Sequence, residues 1–305
     1  MKSAPLFIVI AALATGCPDK GRPPPAAPVS GAVSTTTVTT GRLDFGEVGG
    51  LSGLTRGADP STFFAIPERD PVVFVIREAS SELSITGTLT VAGVPPGLDT
   101  EAITRIDDDT FAMGTESTAE RDGDLVLLAR RRGDRIEVQH KLHLPYAIFG
   151  FTPEENRGIE GVCAAGGLLL AAVETPIEHG EKRYVPLART ATGSATGSAT
   201  WTAFKVPLSS DSGKAAGMDC RVRGGELEVF LIERHYEVSR VLRFTVPMTG
   251  PGRILNATVA RDLDPAFTKN PNFEGLALTE DGVFLLSDNQ GGRIYTETFT
   301  ALFSR

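Results

Sequence analysis

A recurring pair of polar positions constrains this chain more than any other feature. Five times a short apolar run ends on an acid, at Glu68, Glu116, Glu174, Glu233 and Asp288. Each is preceded, about fifteen positions earlier, by an acid or a hydroxyl: Ser52, Glu101, Glu160, Asp219 and Glu274. The second members recur about every 55 residues, a period that belongs to propellers and solenoids.

Midway through each pair lies a turn signal: Asp59-Pro60, Asp107 to Asp109, Gly166-Gly167, Gly224-Gly225 and Asp281-Gly282. A strand running into that turn and another running back make a β-hairpin whose two polar residues return to the same open end. The residue after each first member is small (Gly53, Ala102, Gly161, Cys220, Gly275), as expected for innermost strands crowding an axis. Further period-two runs follow, such as Val72 to Ile76 with Leu83 to Val91, and Leu125 to Ala129 with Arg135 to Leu144. These give about four strands per unit. The expected fold is therefore an all-β propeller of five four-stranded blades, filling the chain from Val33 to Arg305. Only Arg293 to Phe303 remains after Asp288, so the Thr-rich segment Val33 to Phe45 is expected to supply the outer strand of the last blade. A six-bladed ring with one degenerate blade is the alternative; an open sandwich fits the long period poorly.

The ends address the chain to the cell envelope. Met1-Lys2, the apolar run Leu6 to Leu13 and Ala14-Thr15-Gly16-Cys17 make a secretory signal over 1–17 with a lipobox-like site, too short to span a bilayer. Cleavage before Cys17 and acylation of its thiol would tether the protein to a membrane, facing the periplasm or the outside. A plain secretory signal is the alternative. Residues 18–32, with Pro23-Pro24-Pro25, read as an extended tether, leaving 33–305 as a single domain. An exported compartment permits a bridge between Cys163 and Cys220, but their different offsets within neighbouring units favour two buried free thiols. The formal net charge is −8 and the longest basic run is Arg130-Arg131-Arg132, which argues against nucleic acid as a partner.

Equivalent acids at one hairpin end concentrate carboxylates around one mouth of the channel. At about 5 Å and an effective dielectric near 20, each like-charged pair would repel by roughly 3 kcal/mol, so something must offset the repulsion. A divalent cation is one answer. Oxygen-only ligands without a His or Cys cluster favour calcium or magnesium over zinc, and flexible carboxylates favour calcium. Structural pairing with arginines is the rival: Arg56, Arg105 and Arg223 each lie four residues after a first member, and Arg69 and Arg234 directly follow second members. Nucleophilic catalysis has little support, since Gly50-Leu51-Ser52-Gly53 lacks the spacing of a nucleophile elbow. Among the histidines, His235, directly after Glu233-Arg234, is the candidate for acid–base work.

Five segments together carry a resemblance: Gly49-Gly50-Leu51-Ser52-Gly53-Leu54, Asn156-Arg157-Gly158-Ile159-Glu160-Gly161, Leu231-Ile232-Glu233-Arg234, Asn272-Phe273-Glu274-Gly275-Leu276 and Leu286-Ser287-Asp288-Asn289. In this order they resemble the family called esterase-like activity of phytase. The resemblance implies an exported propeller related to phytase-like phosphoesterases, with Ser52, Glu160, Glu233, Arg234, Glu274, Asp288 and Asn289 at matching positions. The chain departs from the pattern where Cys220 follows Asp219 and Ala102 follows Glu101.

The resulting expectation is a lipid-anchored, monomeric hydrolase of phosphate or carboxylic esters. Calcium would be held by Glu160, Glu274 and Asp288, with Glu101 and Asp219 as further ligands. Glu233 would act as base with Arg234 and His235, and Ser52, Arg157 and Asn289 would contact a small anionic ester. The other class is a non-catalytic propeller that binds an envelope component.

Overall fold

The computed structural model describes residues 38–43, 48–79, 82–117, 122–150, 158–193, 199–267, 271–289 and 298–304. The signal, Cys17, the tether and Arg157 lie outside these residues. After the N-terminal strand β1 (Thr39–Leu43), the first unit holds β2 (Leu51–Arg56), β3 (Thr62–Pro67), β4 (Val72–Ala79) and β5 (Glu82–Ala92). The second holds β6 (Leu98–Arg105), β7 (Thr110–Ser117), β8 (Gly123–Arg132) and β9 (Arg135–Pro145). The third holds β10 (Ile159–Ala165), β11 (Leu168–Val173), β12 (Ile177–His179), β13 (Lys182–Ala191) and β14 (Thr202–Pro207). The fourth holds β15 (Lys214–Arg223), β16 (Glu226–His235), β17 (Val238–Pro247) and β18 (Ala257–Asp262), and the fifth β19 (Asn272–Leu278), β20 (Val283–Asp288) and β21 (Thr298–Phe303).

Within each unit the strands pair antiparallel in sequence order, β12 being a short addition beside β13. A short parallel pairing of β5 with β9, Thr90 to Ala92 against Arg135 to Glu137, joins the outer edges of the first two units. The fifth unit is completed by β1, which pairs antiparallel with β21 from Thr39 opposite Leu302 to Leu43 opposite Thr298. This is the propeller expected from the repeat, with the N-terminal strand closing the last sheet.

The core explains why the second strand of each unit is a continuous apolar run. Among the described residues, five buried clusters lie one between each pair of neighbouring units, and the last of them joins unit five to unit one. On β3, Phe64 and Ile66 pack against Ile103, Phe111 and Met113 of the second unit, while Phe63 and Ala65 pack with Ala277 and Leu286 of the fifth. Side chains alternate faces along a strand, so a strand sandwiched between two neighbours must be apolar at every position.

The innermost strands β2, β6, β10, β15 and β19 pack on one another in a ring. A Cβ added at Gly53 would stand 2.8 Å from the Ile103 backbone nitrogen, and one at Gly217 would collide with the Glu274 carbonyl oxygen. The small residue in the fourth unit is thus Gly217, not Cys220. Cys220 instead forms a disulfide with Cys163, with Cα atoms 5.7 Å apart. The expectation of two free thiols is corrected. β10 and β15 are neighbours packed face to face and not hydrogen-bonded, so equal offsets within the two units are not required for the Cα atoms to meet.

Candidate functional site

One device builds the site in every unit. The pairing of each innermost strand with its neighbour slips at a bulge, between Leu51 and Gly53, Thr100 and Ala102, Ile159 and Gly161, Ala215 and Met218, and Phe273 and Gly275. A bulge leaves its extra residue out of the ladder and re-aims that side chain. The residues singled out are Ser52, Glu101, Glu160 and Glu274, with Ala216 and Gly217 in the fourth unit. The first four are buried, although three of them carry carboxylates.

The register also fixes the second position. Asp99 lies opposite Glu116, Asn272 opposite Asp288 and Lys214 opposite Arg234. The backbone N–H groups of Glu68 and Glu174 donate to the carbonyls of Gly50 and Gly158 in the same relation. The equivalent residues are therefore Glu68, Glu116, Glu174, Arg234 and Asp288. The fourth unit breaks the pattern, placing Ala216 where its neighbours have an acid, Arg234 where they have Glu174 and Asp288, and Lys214 where they have Gly158 and Asn272.

This assignment corrects two positions read from spacing. Asp219 lies three residues beyond the bulge. Its carboxylate accepts hydrogen bonds from the backbone N–H of Cys220 at 2.7 Å and of Leu278 at 2.8 Å, apart from the other acids. Burial lifts its pKa to about 6 against those two bonds. Glu233 is one residue before the equivalent position and faces the loop after β14. It is fully buried and accepts from the backbone N–H groups of Ser209 and Ser210 at 3.0 Å and from both hydroxyls at 2.6 Å. With its lone pairs so occupied it has the surroundings of a structural anchor and not of a base. His235 lies in the β16–β17 hairpin with its ring against that of the exposed Tyr236.

Six of the remaining acids gather in two triads. Glu116, Glu160 and Glu174 place carboxylate oxygens within 4.8 Å of one another, and so do Glu68, Asp99 and Glu101. Two oxygens on one calcium ion, each about 2.3–2.6 Å away, are at most about 5 Å apart, so either triad has the spacing and the hard donor chemistry for such an ion. Glu160 and Glu101, expected as ligands of one ion, thus belong to different triads. Glu274 and Asp288 belong to neither. Glu274 pairs with Arg234 and accepts from the Asn272 amide at 2.9 Å, which also donates to Asp288 at 3.2 Å. Of the arginines proposed as structural partners, Arg234 pairs with Glu274 and Arg69 with Glu68 at 3.7 Å. Arg56, Arg105 and Arg223 pair instead with Glu280, Asp108 and Glu228.

Electrostatics follow from this crowding. Burial, then the charges of Glu274, Glu116 and Glu68, pushes the Glu101 carboxyl well above the usual range, against a hydrogen bond from the Ser52 hydroxyl. Burial with Glu101, Glu174 and Glu274 does the same to Glu160, opposed by Arg234. Glu116 is raised to about 7 by burial and Glu174, even though the Gly158 N–H donates to it at 3.1 Å. Glu274 also stands at about 7, because burial, Asp288 and Glu68 outweigh the guanidinium beside it. Lys214 pairs with Glu174 at the rim of the first triad. Asn289 holds the entrance of β2 by accepting from the Gly50 N–H at 3.1 Å. Asp99 and Lys214 escaped the sequence reading, and Asn272 stood in it only as part of a motif. Their common signal is a place two residues before the bulge.

Several solved structures are similar. The GH43 endo-arabinanase from Bacillus licheniformis aligns with a TM-score of 0.51 at 8% identity, covering 83% of this chain and 94% of its own. The PQQ-bound aldose sugar dehydrogenase from Streptomyces coelicolor gives 0.47 at 12%, covering 88% and 99%. The calcium-binding protein regucalcin from Agrobacterium tumefaciens gives 0.40 at 12%, covering 87% and 95%. At such identities the likeness is one of fold. No curated protein sequence matches the chain. Residues 46–291 do match a family profile, and they contain all five bulges and both triads. The chain belongs to the phytase-like family, described as esterase-like activity of phytase.

Proposed function

We propose that this phytase-like propeller is a divalent-cation-dependent hydrolase of phosphate or carboxylic esters, exported and held at a membrane surface through Cys17. The observation that carries the reading is the adjacency of the triad Glu116, Glu160 and Glu174 to the cations Lys214 and Arg234, since Lys214 pairs with Glu174 and Arg234 acts on Glu160. A seat for a metal and a seat for an anion therefore lie side by side. The three carboxylates fit calcium by donor type and spacing. When bound, the ion would supply positive charge to an ester oxygen and to attacking water. Arg234 and Lys214 would orient an anionic group. Glu274, with a pKa of about 7, would exchange the proton of water, in place of Glu233. Asn272, bonded to Glu274 and Asp288, would fix the orientation of both.

A second reading has one observation in its favour. Arg234 and Lys214 already have carboxylate partners, as expected of a scaffold propeller that binds an envelope component. Assaying phosphomonoesters, phytate and short acyl esters with calcium and with chelator separates the two. The hydrolase reading expects calcium-dependent turnover that Glu160→Gln abolishes in a folded protein. Absence of turnover on all three classes, with identical melting in calcium and chelator, would favour the scaffold.

A further inference from the structure

We propose that Glu68, Asp99 and Glu101 form a second, separate divalent-cation site whose role is to clamp the first unit to the second. The three carboxylates have oxygens within 4.8 Å of one another. An acidic cluster alone would not establish a site, but this one contains an unsatisfied buried atom. Glu101 is 5% exposed, and its Oε1 has no hydrogen-bond partner among the described residues. An orphaned buried carboxylate oxygen is costly unless a proton or a cation meets it.

The surroundings favour a cation. The other triad receives Lys214 on Glu174, with Arg234 acting on Glu160. Here the described ion pair is Arg69 with Glu68 at 3.7 Å, with the Arg69 side chain 66% exposed, where solvent screens it. The backbone meanwhile holds the ligands in place. The Thr100 N–H donates to the Glu68 carbonyl at 3.0 Å and its hydroxyl to the Pro67 carbonyl at 3.2 Å, tying β6 to the end of β3. Glu68 from one unit is thus fixed beside Asp99 and Glu101 from the next. Hard oxygen donors with no nitrogen or sulfur point to calcium or magnesium. The site does not depend on hydrolysis and stands or falls separately from the proposed activity.

Titration calorimetry of the full chain with calcium chloride, counting ions bound, tests it. Two ions are expected for the unaltered protein. Glu101→Gln, close in shape to the original, and Asp99→Asn should each bind one, and adding Glu160→Gln to either should remove the remaining ion. Should Glu101→Gln fail to fold, Asp99→Asn carries the test, because Asp99 is only half-buried. One ion, lost in Glu101→Gln and kept in Glu160→Gln, would support this site while removing the cation of the proposed function. One ion with the opposite pattern would overturn this site and leave the proposed function standing. No calcium bound, or unchanged stoichiometry in both Glu101→Gln and Asp99→Asn, would also overturn it and would mean that a proton satisfies Glu101.

Discussion

Replacing Glu233 tests whether this carboxylate anchors a loop or works as a base. It has no exposed surface and accepts from two backbone N–H groups and two hydroxyls of Ser209 and Ser210. A hydrogen bond to a charged group contributes about 1.5–3 kcal/mol net, so four of them set an upper bound of roughly 6–12 kcal/mol. The true figure is smaller, because such bonds are not additive and the serine loop is only partly buried, allowing water to recover the hydroxyls. The two N–H groups beside the vacated space are the larger loss, which puts Glu233→Ala at about 3–5 kcal/mol. Glu233→Gln keeps one acceptor oxygen but turns an amide donor toward N–H groups that cannot accept. It should cost about 2–3 kcal/mol, and a rotating hydroxyl limits the damage. Urea unfolding in chelator, with the free energy taken from midpoint and slope, measures both. A loss below about 1 kcal/mol in Glu233→Ala, with hydrolysis abolished, would refute the anchor and restore the base.

The pH dependence of the metal-free protein has a defined sign. Glu116 and Glu274 are raised from 4.5 to about 7, so between these values the unfolded chain holds fewer protons than the native one. Their contribution is therefore full below about pH 4.5 and is lost as pH rises through about 7. Melting temperature in chelator should fall across this window on that account, and saturating calcium should flatten the fall. The disulfide closes a sequence separation of 57 residues, and Cys163→Ala with Cys220→Ala should cost about 4 kcal/mol in urea unfolding; an unchanged midpoint would count against the bridge. Deleting residues 1–45 removes β1 and bares the edge of β21, together with the apolar surface that Val38 helps to cover. That truncation should melt well below one lacking only 1–27, and equal melting would contradict closure by the N-terminal strand.

Much of the fold was legible because its physics is local. Alternating side chains, a turn midway through each pair and a small residue against the axis all leave marks in sequence, and β1 could be placed from the shortfall after Asp288. The site was legible in four units and misread in one. Acids at constant spacing pointed to Asp219 and Glu233, because the true fourth-unit residues are Ala216 and Arg234, an uncharged residue and a cation where the neighbouring units have acids, with the cation Lys214 opposite Arg234. The irregularity between Ala215 and Met218 shifts the register further, and spacing alone does not reveal it. Nor could one sequence divide the acids into triads. That division depends on which neighbours face each other across a unit boundary, as the tie from Thr100 to Glu68 shows.

The central claim is that the acidic ring acts on esters through a bound cation. The most direct measurement is the initial rate of p-nitrophenyl phosphate hydrolysis by the full chain, first in calcium and then in excess chelator, with Glu160→Gln assayed beside it. The account predicts turnover in calcium, none in chelator, and none for Glu160→Gln in either condition. Equal rates with calcium and chelator, or full activity in Glu160→Gln, would contradict it.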